Sequence, residues 1–162
     1  MLECADIRRL LPHGHPMTLV DRVLSIDPGR SIVAVKAITV SELCFQEAGP
    51  GDPPHRYFYP ASLLLESFGQ AAALLWLYEL APGALEDGSV LMLVAGRDCE
   101  LEGHVLPGDT LRHVARIDQI VGDNVFVTGE TYVEERRVAS IGSMMAVMRP
   151  RMEHGGSRPR AD

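Results

Sequence analysis

Tyr59-Pro-Ala-Ser-Leu-Leu-Leu-Glu-Ser-Phe-Gly-Gln-Ala-Ala-Ala-Leu-Leu-Trp-Leu-Tyr-Glu-Leu80 is the most apolar long stretch of the chain. Its leucines and alanines are strong helix formers, and Pro60 suits a first helical turn, where its missing N–H is not needed. The stretch is apolar nearly all round, which marks a helix enclosed by a core and not one lying on a surface. Glu66 and Gln70 interrupt it, so it reads as a core helix and not a membrane span. Ser62, Glu66 and Gln70 recur every fourth residue and form one narrow polar stripe along the rod. A carboxylate in such a place has to be paired, hydrogen-bonded or kept protonated, because desolvating it alone is costly. Glu66 is therefore either a structural group tied to Gln70 and the backbone, or a general acid or base on the wall of an apolar pocket.

The composition around this helix narrows the classes. With 162 residues the chain makes one domain with a real core. A net charge of −7 disfavours a nucleic-acid binder, and Lys36 is the only lysine, so an anion-binding patch has to be built from arginines. Cys4, Cys44 and Cys99 are odd in number, far apart and without a CxxC pair. They fit reduced cytoplasmic thiols and argue against a disulfide framework or a zinc ribbon. The start, Met1-Leu-Glu-Cys-Ala-Asp-Ile-Arg-Arg9, has acids and no apolar core region, so no signal peptide is expected. His13, His15 and His55 lack a carboxylate or cysteine at ligand spacing, so no metal is expected, and nothing implies another cofactor.

Ahead of the helix, Ile7 to Leu11 predicts one or two helical turns. Thr18 to Ile26 and Ser31 to Val40 predict extended segments joined by an Asp27-Pro-Gly-Arg30 turn. Gln46 to Tyr59 is a loop dense in glycine and proline. Behind the helix come turns at Ala81-Pro-Gly-Ala84 and Glu86-Asp-Gly-Ser89. Four strands follow, near 90–101, 110–121, 124–134 and 137–148. The fold class is α+β, an antiparallel sheet of five to six strands wrapped around one long helix. The domain is expected over residues 1–148, with a disordered tail over 149–162. A small sheet covers such a helix poorly, so a dimer whose two sheets extend each other is expected.

Several segments resemble one family. Leu10-Leu-Pro-His-Gly-His-Pro-Met-Thr-Leu-Val-Asp-Arg-Val23 is similar to the opening signature of the β-hydroxyacyl-ACP dehydratases, the FabZ/FabA-like family of fatty acid synthesis. Asp27-Pro-Gly29 and Lys36 also match. Tyr59 to Gln70 resembles the family's central helix, and Val94-Ala-Gly-Arg-Asp98 and Val105-Leu-Pro-Gly-Asp-Thr-Leu111 resemble its later strand and turn. The resemblance implies a hotdog fold and a dimer, often arranged as a trimer of dimers, with active sites at the dimer interface. It implies acyl carrier protein or CoA thioesters as substrates, and loss of water to give a trans-2-enoyl thioester. A histidine from one subunit takes the C2 proton, and the glutamate from the other, Glu66 here, helps the hydroxyl leave. Backbone N–H groups at the helix start, Ala61 and Ser62 here, polarise the thioester carbonyl. Gln70 supports the glutamate, and Leu64, Phe68 and Trp76 are either core residues or part of an acyl pocket.

The family's histidine lies in a Gly-His-Phe-Pro-Gly-x-Pro motif, and alignment on the prolines and glycines puts Ala48 in its place, followed by an insertion, Pro54 to Tyr57. Alanine accepts no proton, and such general acid–base help is worth about 10² to 10⁴ in rate. His55 in the insertion is one replacement, and His13 or His15 another. With no base at all, Glu66 alone suits a hotdog thioesterase, or the chain is a non-catalytic acyl-binding or pseudo-dehydratase subunit. Arg97 and Arg112 are candidate contacts for a phosphate or an acidic carrier, or are solvated strand arginines. The resulting expectation is a divergent, cytoplasmic β-hydroxyacyl thioester dehydratase of a polyketide or specialised acyl pathway, without nucleic-acid or membrane partners.

Overall fold

A computed structural model of the chain describes residues 1–79 and 89–150. The central stretch forms helix α2, Ala61–Glu79, preceded by a short α1, Cys4–Leu10. Six strands follow the expected order: β1 Arg22–Asp27, β2 Ser31–Ala37, β3 Ser89–Leu101, β4 Thr110–Val121, β5 Asn124–Val133 and β6 Arg136–Pro150. They make one antiparallel sheet in the order β1-β2-β4-β5-β6-β3, so β3 stands at one edge. Several expected strand bounds shift, β2 ending at Ala37 and not at Val40. Thr18 to Asp21 stays outside β1 because its polar groups pair with α2 and β2 instead. β6 runs to Pro150, two residues past the expected end of the domain. Of the disordered tail expected over 149–162, residues 149 and 150 belong to β6 and 151–162 lie outside the described residues, as do 81–88 of the expected turns.

The helix is held by its apolar character. Phe68, Ala71, Leu74 and Leu75 are fully buried, and Leu64, Ala72, Trp76 and Leu77 nearly so. Each large aliphatic or aromatic side chain buried this way stabilises the fold by roughly 1.5–3 kcal/mol. The segment Pro54–Tyr78 is long and apolar enough to span a membrane by composition, yet most of its apolar stretch is buried in the core. The sheet supplies the opposite half of the core through strict alternation, clearest on β5, where every second residue is buried.

One backbone position lets helix and sheet close together. Gly129 interrupts the β5 ladder at a register shift, with φ at 159°, and Phe68 packs directly over it. A Cβ placed there would sit 2.1 Å from the Val114 carbonyl oxygen and 3.0 Å from the Phe68 ring. Backbone cannot yield as a flexible side chain does. Gly129→Ala is expected to lose more than about 2 kcal/mol of stability in urea unfolding, against under about 0.5 kcal/mol for an alanine at the open Gly14.

Candidate active site

Glu66 stands on the face of α2 that turns toward the segment between α1 and β1. Its side chain is about one-third exposed. Gln70, one turn on and almost wholly buried, donates from Nε2 to Glu66 Oε1 at 2.8 Å. The same amide donates to the Met17 carbonyl at 2.7 Å and accepts from the Leu19 N–H at 2.8 Å. Gln70 thus pairs with the chain as a strand neighbour would, and it fixes the loop that carries His13. Thr18 Oγ1 tightens that loop further by donating to the His13 carbonyl at 2.9 Å.

The loop sets His13 Nε2 3.4 Å from Glu66 Oε1. His13 Nδ1 is buried and has no partner among the described residues, so the imidazole engages its surroundings through Nε2 alone. His15, two residues on, is exposed and lines a different, wider groove. His55 lies on an exposed 3-10 turn, Pro54–Tyr57, and forms no ion pair with Glu66. Ala48 occupies a turn just before it, with its N–H bonded to the Phe45 carbonyl at 2.9 Å.

Beside the His13–Glu66 pair opens a mostly apolar cavity of about 100 Å³. Glu66, Gly69, Ala72, Ala73 and Trp76 line it from α2, with Gln70 at its polar end. Leu91 and Leu93 of β3, Val125 and Val127 of β5, and Met144 and Ala146 of β6 form the facing wall. Of the two roles open to Leu64 and Phe68, core or acyl pocket, both take the core one and neither lines this cavity. Each lies two positions from Glu66, hence about 200° around the helix, and both sit in the core. The small residues on Glu66's own face were the overlooked signal. Ala61 and Ser62 are exposed at the helix start, where the Pro60 carbonyl accepts from Leu63 and Leu64 instead. The wider groove, about 810 Å³, contains Lys36, but Glu42 pairs with that lysine at 3.1 Å. Arg112 stacks on Tyr132 at 4.6 Å, and Arg97 is exposed on β3.

A second histidine cluster is sealed. His113 bonds Ser67 Oγ through Nε2 and Thr131 Oγ1 through Nδ1, both at 2.9 Å, and all three are fully buried. The array resembles a nucleophile and base in outline, yet no substrate reaches it. Burial, reinforced by Lys36, pushes the His113 pKa down to about 3.

The FabA-like domain matches residues 11–142 of the chain. The chain belongs to the FabA-like family. It is 32% identical over 142 residues to a 3-hydroxyacyl-[acyl-carrier-protein] dehydratase FabZ of Clostridium kluyveri, covering 86% of this chain and 91% of the relative. It is 34% identical over 138 residues to the FabZ of Desulfotalea psychrophila, covering 85% and 87%. Among solved structures, the dehydratase heterocomplex ApeI:P of Xenorhabdus doucetiae superposes with a TM-score of 0.69 at 15% identity, covering 88% and 90%. A Thermus thermophilus protein of the thioesterase superfamily gives 0.56 at 22% identity, covering 78% and 86%. The hotdog fold is common to this FabA-like chain and these neighbours.

The sealed histidine leads to a pH expectation. Its folded pKa lies below the ordinary 6.5, so the unfolded chain binds the extra proton between those values. The stabilising effect of keeping it neutral is complete above about pH 6.5 and declines toward pH 3, by up to about 1.4 kcal/mol per pH unit. Urea unfolding at pH 7 and pH 4.5 checks this, and His113→Gln should remove that component of the slope.

Proposed function

We propose that this FabA-like chain is a β-hydroxyacyl thioester dehydratase in which Glu66 and His13 form the acid–base pair. The single observation carrying this reading is their 3.4 Å contact at the mouth of an apolar cavity, in a chain with alanine at the family's histidine position. The substrate is an acyl group on acyl carrier protein or CoA. The neutral imidazole of His13 takes the C2 proton, and the electron pair forms the C2–C3 double bond. The C3–O bond breaks, and the hydroxyl leaves as water with the proton of Glu66. The resulting imidazolium–carboxylate pair resets when His13 returns its proton to Glu66 across the contact they already make. Amides of Ala61 and Ser62 at the helix start suit the thioester oxygen as charge gathers on it.

The reading extends to assembly. β3 is an edge strand with Met92, Leu93 and Val94 about half exposed, and unpaired apolar edges invite a partner strand. A homodimer pairing β3 with its copy covers this edge, and a trimer of dimers is a further level of the same arrangement. Leu91 and Leu93 also line the cavity, so association borders the site. His55 then reaches a site only across such an interface. Three free cysteines fit a cytoplasmic enzyme. The altered loop at Ala48 supports a specialised acyl or polyketide pathway. That same alanine, together with the heterocomplex named for the Xenorhabdus neighbour, favours a second reading: a subunit active only beside a partner dehydratase.

Mass spectrometry of a β-hydroxyacyl-pantetheine thioester incubated with the protein separates these readings. Loss of one water with the thioester intact is expected. Free pantetheine thiol signals a thioesterase with Glu66 as base, and an unchanged substrate favours the partner-dependent subunit. Glu66→Gln and His13→Ala should each lower turnover by about 10² to 10⁴ with melting curves retained, whereas His55→Ala should stay near wild type.

A further inference from the structure

The cavity beside Glu66 has a floor, two walls and an end. On α2 the positions facing it after Glu66 are Gly69, Ala72 and Ala73, which leave an open lane, and then Trp76, which closes it. Trp76 is 5% exposed and packed in the core cluster, so its indole is not free to swing away. The far wall is built in cross-strand rows. Leu93, Ala146 and Val125 are register partners across β3, β6 and β5, and Met144 pairs with Val127 beside them. Gly69 lies under Met144, since a Cβ there would meet its sulfur at an ordinary 3.7 Å. Glycine is therefore not forced on this position by a clash, and its absent side chain keeps the lane open.

Length follows from helix geometry. Ten residues separate Glu66 from Trp76, about 15 Å along the axis. An extended chain advances roughly 3.5 Å per three bonds, so the whole interval holds only about a dozen bonds. The indole takes part of that, because helical side chains lean toward the N-terminus and cover the turn before their own Cα.

Resting on the reading of this cavity as the acyl site, we propose that Trp76 is the chain-length stop, restricting the protein to short and medium linear acyl groups, from butyryl to decanoyl. The reacting carbons sit at Glu66 and His13, the methylenes lie over Gly69 and Ala73, and the terminal methyl meets the indole.

The test is calorimetric binding of acyl-pantetheine amides, which cannot be turned over, from butyryl to tetradecanoyl, to the full-length chain. Affinity should rise about three- to fourfold per methylene at first and stop rising by decanoyl. Trp76→Ala should let dodecanoyl bind at least about tenfold more tightly than wild type does. Ala73→Leu, which fills existing space and spares the indole, should end the rise before octanoyl, and it answers the question if Trp76→Ala does not fold. A wild-type affinity that climbs through tetradecanoyl, or that shows no dependence on chain length, overturns the proposal. So does a profile that both variants leave unchanged. If the profile shifts as described but no hydroxyacyl thioester loses water, the dehydratase reading falls and the chain-length stop stands.

Discussion

One buried amide holds the candidate site together. Gln70 is almost entirely removed from solvent, and its three hydrogen bonds go to Glu66, to the Met17 carbonyl and to the Leu19 N–H. A buried amide that lost one of these partners would leave a polar group unpaired, at a cost of about 1–3 kcal/mol. The loop from His13 to Leu19 is consequently pinned to α2 by a buried amide. Every distance in the site depends on that pinning. His13 is 53 residues before Glu66 in the chain, and the Gln70 amide is what converts that separation into contact.

On the proposed reading, the same constraint compensates for Ala48, which stands where the resemblance puts the family's histidine. Ala48 lies in a loop that is strapped to itself: Gly49 donates to Asp52, and the Tyr57 hydroxyl donates to the Gly49 carbonyl. That loop is shaped by its own bonds, and Ala48 itself offers no imidazole. The segment before β1 is shaped by α2 and does present one. The imidazole that pairs with Glu66 is borne by a different loop.

The helix was legible because its signal is local. Leucine and alanine content and the four-residue polar stripe depend on neighbours in sequence, and α2 runs where they indicate. β4 likewise begins and ends at the turn residues that bracket it. The hidden parts are those set by long-range register. Nothing in the alternation of β4 says that His113 meets Ser67 across the core, since a histidine on a strand face reads the same whether or not a serine lies opposite. Leu64 and Phe68 could be read as core or as pocket wall, and two steps of helix rotation from Glu66 put both in the core. Gly69 and Ala73, the actual floor, are too small to stand out in an alanine-rich helix.

The bulge on β3 between Leu93 and Ala95 has a bearing on fidelity. Strand side chains alternate faces, so Leu91 and Leu93 point inward only in one alignment of β3 against β6. A slip of one residue would present Met92 and Val94 to the cavity instead, exchanging one apolar set for another at little cost in hydrophobicity. Composition therefore gives this edge almost no protection against misalignment. The irregularity supplies it, acting as an index notch: it can be seated in one place only, and it keeps two nearly interchangeable faces of the strand distinct.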